Sequence, residues 1–350
     1  MSRVSKLKLP FADWPADDQR LWTAAFEAGD RFEACGRGAH LAASTREMLY
    51  ERYAHFLRFV SVQHRNLLTR PADERIDRRI VAEFVAWRRK SCSDMTVSIE
   101  LRCLRDALAL ICPDADLSWL LVVARRIAAT APRRTQRYNL ITSDRLYALG
   151  IALMDGAVAD TDAAQRVRMR DAYVYRDGLM IALLALIPLR RRTLTTLKIG
   201  QHLVRSGDLW ALDIPAADTK ARRPLDYPIS KELSVRIDVY LERFRCRIPG
   251  ANTHTGLWAS HLGGTTCAPA IGATVRKRTR SAFGFGVSPH RFRHAAASFW
   301  AIHDPVNVRG TKDLLGHASL LTTEKHYIMA QSRLAGRTLA HAVHKLRRVD

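Results

Sequence analysis

The chain has 350 residues, 47% apolar and 26% charged, with 56 lysines and arginines against 34 acidic residues and a net charge of +22. This length allows two ordinary domains, and the balance of apolar and charged residues is that of a globular chain rather than a fibrous or disordered one. So large a basic excess suits a polyanionic partner, the plain alternative being a basic surface that binds nothing.

The longest apolar run, Leu179 to Leu189, is interrupted by Pro188 and is much shorter than the roughly 20 residues that span a bilayer, so it reads as a buried helix. No basic amphipathic helix flanked by Trp or Phe stands apart, and no apolar stretch follows the basic residues at the start. Neither a membrane association nor a secretory signal is expected. The cysteines (Cys35, Cys92, Cys103, Cys112, Cys246 and Cys267) are scattered and never fall at CxxC spacing. That argues against a zinc ribbon and a disulfide scaffold, and fits reduced thiols in a cytoplasmic protein.

Residues 1–40 carry Trp14, Leu21, Trp22 and Phe26 at spacings that would suit a short helix, but Gly29, Gly36 and Gly38 leave the segment unassigned. A helix is predicted from Ser44, where Ser44 and Glu47 have capping-box spacing, with Leu49, Tyr53, Phe56 and Val60 on one face. A second helix places Ile76, Ile80, Phe84 and Trp87 on its buried side. A third carries Val97, Leu101, Leu104, Leu108 and Ile111 and is stopped by Pro113; a fourth, shorter one runs from Leu117 to Ile127. Residues 41–130 therefore read as an all-helical domain.

The polar, basic stretch 131–139 reads as a linker, able to lie along a phosphate backbone or to serve as a simple tether. Helices are predicted over 143–156 and 170–187, followed by two strands, Leu209 to Ile214 and Pro224 to Ile229, around a polar turn. Helices resume after Ser230, and the last one, with Leu334, Leu339, Val343 and Leu346, is amphipathic and basic. The fold class is mainly α with one small antiparallel β-sheet, and residues 140–350 form the second domain.

Four segments of this second half carry chemistry. They are Pro188-Leu189-Arg190-Arg191-Arg192 after the apolar helix, Lys220 in the turn between the strands, His290-Arg291-Phe292-Arg293-His294 opening a helix, and Leu315-Gly316-His317 followed by Tyr327. Singly each is weak: an arginine run is usually a solvated turn, a hairpin lysine is ordinary surface, and a lone tyrosine is usually packing. His290 and His294 have the spacing of a zinc pair, but Arg291 stands where a zinc protease has glutamate.

In this order and spacing, Arg190, Lys220, His290-x-x-Arg293, Gly316-His317 and Tyr327 resemble the tyrosine recombinase (phage integrase) family over most of residues 140–335. The helical region 41–130 resembles that family's core-binding, DNA-binding domain, whose Ser-Thr-x-x-x-Tyr opening compares with Ser44, Thr45 and Tyr50. Three departures stand out. Thr193 occupies a position where the family often has glutamate. His317 and Tyr327 lie one residue further apart than is commonest, with His326 at the usual tyrosine position. The run Arg190 to Arg192 leaves the register of the first arginine open by a residue, with Arg190 preferred for its place after Pro188-Leu189.

The resemblance implies a site-specific recombinase or integrase of a mobile element that cleaves and rejoins DNA through a 3′-phosphotyrosyl intermediate, without metal, ATP or other cofactor. Arg190 and Arg293 would hold the phosphate, with His317 and His290 around it. Tyr327 would attack, His290 would act as a base and Lys220 would protonate the leaving oxygen. The expected partner is double-stranded DNA carrying attachment sites, bound by a homotetramer with possible accessory DNA-bending proteins, on the nucleoid when engaged. The alternatives are an inert DNA-binding protein of the same fold and a type IB topoisomerase-like relaxing enzyme. The sequence specifies neither the target site nor whether the reaction integrates, excises or resolves. It also leaves open whether the C-terminal helix packs at home or on a neighbouring protomer.

Overall fold

Periodic apolar faces become stable helices where they meet a partner face, and here they do so around two separate cores. The computed structural model describes residues 7–30, 34–132, 141–160, 167–219 and 222–303. The chain divides into two compact units, Met1–Arg137 and Tyr138–Asp350. Most of the linker stretch, Lys220, His317, Tyr327 and the C-terminal helix lie outside the described residues.

The first unit is helical: α1 (Ala16–Ala24), α2 (Ala43–Gln63), α3 (Arg78–Arg89), α4 (Asp94–Ile111) and α5 (Ser118–Thr130). The predicted faces are the buried ones: Leu49, Tyr53, Phe56 and Val60 on α2 and Val97, Leu101, Leu104, Leu108 and Ile111 on α4 belong to one core. Asp77 caps α3 by accepting from the Ile80 N–H at 2.7 Å, and Ser93 caps α4.

One sequence expectation needs correcting, and one unassigned segment finds its place. The Ser44–Glu47 capping box is not formed: α2 starts at Ala43 with Ala42 at the cap and no side-chain cap bond. Instead, the Arg46 guanidinium reaches back to the Leu41 carbonyl at 2.8 Å and fixes the incoming chain. The segment before residue 40 is part of the core. Trp14 and Trp22 are buried against Tyr53, the Trp22 and Tyr53 rings stacking at 6.1 Å, and Trp14 stacks on Tyr50 at 5.2 Å.

One polar knot crosses this core. Glu100 on α4 is 1% exposed and accepts two 2.6 Å bonds from Arg88 of α3, with Arg52 at 2.8 Å and His55 at 3.3 Å from α2. Burial alone would push this carboxyl up, but the hydrogen bonds and charges of His55 and Arg88 bring it down to about 2.

The second unit begins with α6 (Ser143–Ala159) and α7 (Met169–Leu186), then α8 (Arg191–Thr195). Gly150 and Gly178 let α6 and α7 touch backbone to backbone: a Cβ on Gly150 would lie 2.6 Å from the Ala182 nitrogen and 2.7 Å from the Gly178 oxygen. The sheet has three strands rather than the two expected: β1 (Leu203–Ser206), β2 (Leu209–Ile214) and β3 (Leu225–Pro228), antiparallel in that order. β1 escapes the pattern because it is only four residues long and joins β2 through a two-residue turn. After the sheet come α9 (Lys231–Val239), a π turn over Tyr240–Phe244, α10 (Ala268–Phe283) and α11 (Pro289–His303). Phe244 stacks on Tyr175 of α7 at 4.1 Å. Among the described residues, no helix is long and apolar enough to cross a membrane.

Candidate active site

The apolar α7 ends in Leu186, and the proline two residues later forbids its continuation. The chain turns through Ile187, Pro188 and Leu189, all buried, and Arg190 becomes the cap of the next short helix, its carbonyl accepting from the Leu194 N–H at 2.9 Å. The indole of Trp258, 1% exposed, donates to the Leu194 carbonyl at 2.8 Å and locks α8 in place. Arg190 is therefore a half-buried side chain on a rigid corner, whereas Arg191 and Arg192 are exposed. The Arg191 side chain runs toward α10, where it passes 3.8 Å from the Cβ position of Gly272.

The second arginine comes from α11. Pro289 starts that helix, a position where its missing N–H costs nothing. Phe292 and Ala295 fix its inner face in the core. Arg293 lies beside them, 7% exposed, and donates to the Pro188 carbonyl at 2.8 Å. That bond ties α11 to the turn that presents Arg190. Burial, then the charge of Arg190, push the Arg293 guanidinium down to about 10, with Tyr227 of β3 opposing. It remains a cation at neutral pH. Two guanidinium groups brought this close repel each other, and an anion bound between them would relieve the repulsion.

His290 stands one turn before Arg293, exposed at the start of α11. Partial desolvation and then the Arg293 charge hold its imidazole below the ordinary value. It is neutral at pH 7 and available to accept a proton or a hydrogen bond. The His294 ring meets it edge to face at 4.9 Å. Among the described residues, no group of three or more His, Cys, Asp or Glu side chains is placed to hold a metal ion.

The structure thus brings together Arg190, His290 and Arg293, with Tyr227 beside them. Of the remaining sequence-predicted residues, Lys220 adjoins the described Thr219 in the β2–β3 loop, and His317 and Tyr327 lie beyond the described residues. Sequence reasoning passed over the basic face of α10, where Arg276, Lys277 and Arg280 line a surface depression with Ala273 and Ser281. The run Arg276-Lys277-Arg278-Thr279-Arg280 was the available signal. Arg278 is spent inward, on the buried Asp177 of α7 at 2.9 Å.

The chain matches the phage integrase family over residues 161–333. The XerH site-specific recombinase, solved bound to its difH substrate in a pre-cleavage complex, aligns with a TM-score of 0.58 at 16% identity, covering 92% of this chain and 94% of that one. The XerA recombinase aligns with a TM-score of 0.41 at 17% identity, covering 86% of this chain and 94% of that one. The integrase of mycobacterium phage Brujita gives 0.35 at 14% identity, covering 84% and 87%. No curated protein sequence matches. Residues 161–333 of the chain thus form a phage integrase family domain, of the tyrosine recombinase type.

Proposed function

We propose that this protein is a site-specific DNA recombinase that cuts and rejoins strands through Tyr327. The observation that carries the reading is the rigid pairing of Arg190 with Arg293, joined through the Pro188 carbonyl. Attack on a phosphodiester adds negative charge to the non-bridging oxygens, and two guanidiniums already in place can donate to them without reorganising. His317 adds a further donor.

Tyr327 has a phenol with an ordinary pKa of about 10 and must shed its proton as it attacks. The neutral His290 is suited to take it, and the neighbouring cations favour the phenolate. As the new P–O bond forms on the 3′ side, the bond to the 5′ oxygen breaks and that oxygen takes a proton from Lys220. The phosphotyrosyl ester keeps the bond energy, so religation runs the same steps backwards with a 5′ hydroxyl as nucleophile.

The helical unit serves as the core-binding domain, and phosphate contacts supply most of the affinity. The substrate-bound state of XerH supports DNA as the partner. Family behaviour extends the reading to four protomers on two duplexes, with accessory DNA-bending proteins where the sites require them.

The decisive experiment uses nicked duplexes drawn from the DNA flanking the protein's own gene, so that a cleaved end diffuses away. Wild type should become covalently attached to the 3′ phosphate and Tyr327→Phe should not. An adduct surviving in the variant would move the nucleophile elsewhere, with His326 the first residue to examine. Tight, specific binding without any adduct would leave an inert DNA-binding protein of this fold.

A further inference from the structure

His202, the residue just before β1, is a polar side chain in a place where packing alone would favour an apolar one. It is 3% exposed, yet both ring nitrogens are committed. Nδ1 lies 3.0 Å from the carbonyl of Thr196, at the end of α8, and Nε2 lies 3.1 Å from a carboxylate oxygen of Asp218, in the β2–β3 connection. Each ring nitrogen thus meets an oxygen acceptor. Asp218 is the ionisable side chain that faces the ring. The bonds join two parts of the chain that matter for the site: the short helix capped by Arg190 and the loop leading to Lys220.

That loop is closed on itself where it meets Asp218. Thr219 is 7% exposed; its hydroxyl accepts from the Arg223 N–H at 3.1 Å and lies 2.8 Å from the Arg223 carbonyl. The Arg222 N–H donates to the Thr219 carbonyl at 3.2 Å, and Arg222 takes φ +50°, a region costly to a side chain with a Cβ. A loop held in a strained turn has a defined base, and a defined base transmits position when it is anchored.

We propose that His202, paired with Asp218, is a positioning residue that fixes the base of the β2–β3 loop to the end of α8. It thereby sets where the residue bonded to Thr219, Lys220, stands relative to the Arg190 corner. This rests on the reading of Lys220 as the acid that protonates the leaving 5′ oxygen. Buried as it is, His202 acts through the loop rather than on the DNA itself.

The test compares wild type, His202→Asn and Asp218→Ala in single-turnover cleavage of two nicked duplexes, each directly compared with DNA binding. One duplex carries the normal 5′ oxygen at the scissile phosphate; the other carries sulfur there, whose thiolate leaves without needing a proton. General acids contribute roughly 10²–10⁴-fold, so a misplaced one should slow the oxygen duplex by about 10–100-fold. The sulfur duplex should be cleaved at close to the wild-type rate, with binding unchanged. Equal slowing on both duplexes, or no slowing on either, would overturn the proposal, since a purely structural role has no reason to distinguish leaving groups. Should His202→Asn fail to fold, Asp218→Ala decides alone, because that side chain is 42% exposed and its removal leaves no cavity. A wild-type protein that cleaves neither duplex would refute the recombinase reading and this inference together, whereas active wild type with evenly slowed variants refutes this inference only.

Discussion

Replacing Glu100 by glutamine removes one charge and almost no volume, yet it should be among the most damaging single changes in the helical unit. The carboxylate receives Arg88 through two 2.6 Å bonds and Arg52 at 2.8 Å, and Arg88 is itself 3% exposed. In the variant, an amide NH2 would face guanidinium N–H groups, and the buried Arg88 charge would lose its counter-charge. Breaking a buried pair from one side costs roughly 3–5 kcal/mol.

The acid side gives an independent figure. The folded carboxyl sits near 2, against an ordinary 4.5. A depressed folded value means that the stabilisation is present above about pH 4.5 and is lost as pH falls towards 2. Integrated over that window it amounts to about 3 kcal/mol. For a unit of this size, such a loss lowers the melting temperature by roughly 10 °C. Hydrogen exchange of the α2, α3 and α4 peptides in the full chain, measured at pH 7 and in acid, reads this unit directly. Glu100→Gln should lose protection at pH 7 and show a flatter acid dependence than wild type. A variant within about 1 kcal/mol of wild type would refute the argument, since a buried arginine deprived of its counter-charge cannot be that cheap.

Two further outcomes follow from close contacts in the second unit. Gly150→Ala should destabilise that unit by about 1–3 kcal/mol in urea unfolding, because the added methyl meets the backbone of α7, which cannot swing aside; a neutral result would mean α6 and α7 can separate freely. Arg293→Lys should keep its DNA affinity in a gel-shift assay but lose about 10²–10³-fold in the rate of covalent adduct formation, as an ammonium lacks the planar fork that holds the Pro188 carbonyl with one nitrogen and offers others to a phosphate. Equal loss of binding and cleavage would show that this arginine merely holds DNA.

Long helices and the paired strands were legible because their apolar residues repeat with a clear period: α4 keeps its face for eighteen residues. The candidate arginines stood out as a spaced motif, although the apolar helix and Pro188 say only that a corner exists, not that Arg293 is tied to its carbonyl. Other parts are set by contacts between distant residues. Glu100 reads as a surface charge until Arg88, Arg52 and His55 are brought to it. Residues 1–40 looked broken by glycines, whereas Gly36 is there because a Cβ would collide with the Ala24 carbonyl at 2.3 Å as the chain folds back on α1. Ser44 and Glu47 carried a capping signal that Arg46 overrode. His202, an isolated histidine outside every motif, offered no signal at all.

The two cores also differ in when they can be completed as the chain leaves the ribosome. Among the described residues, the buried residues of the first core end at Ile127, so it can close once α5 has emerged. The second needs Val287, Phe292 and Ala295, and Arg293 reaches the Arg190 corner only with them. Nascent chains arrested just after α5 should already resist proteolysis across the first unit. A half-made protein can therefore hold its helical unit folded while it still lacks the contact of Arg293 with the Pro188 carbonyl, so the Arg190 corner is among the last parts of the described fold to be assembled.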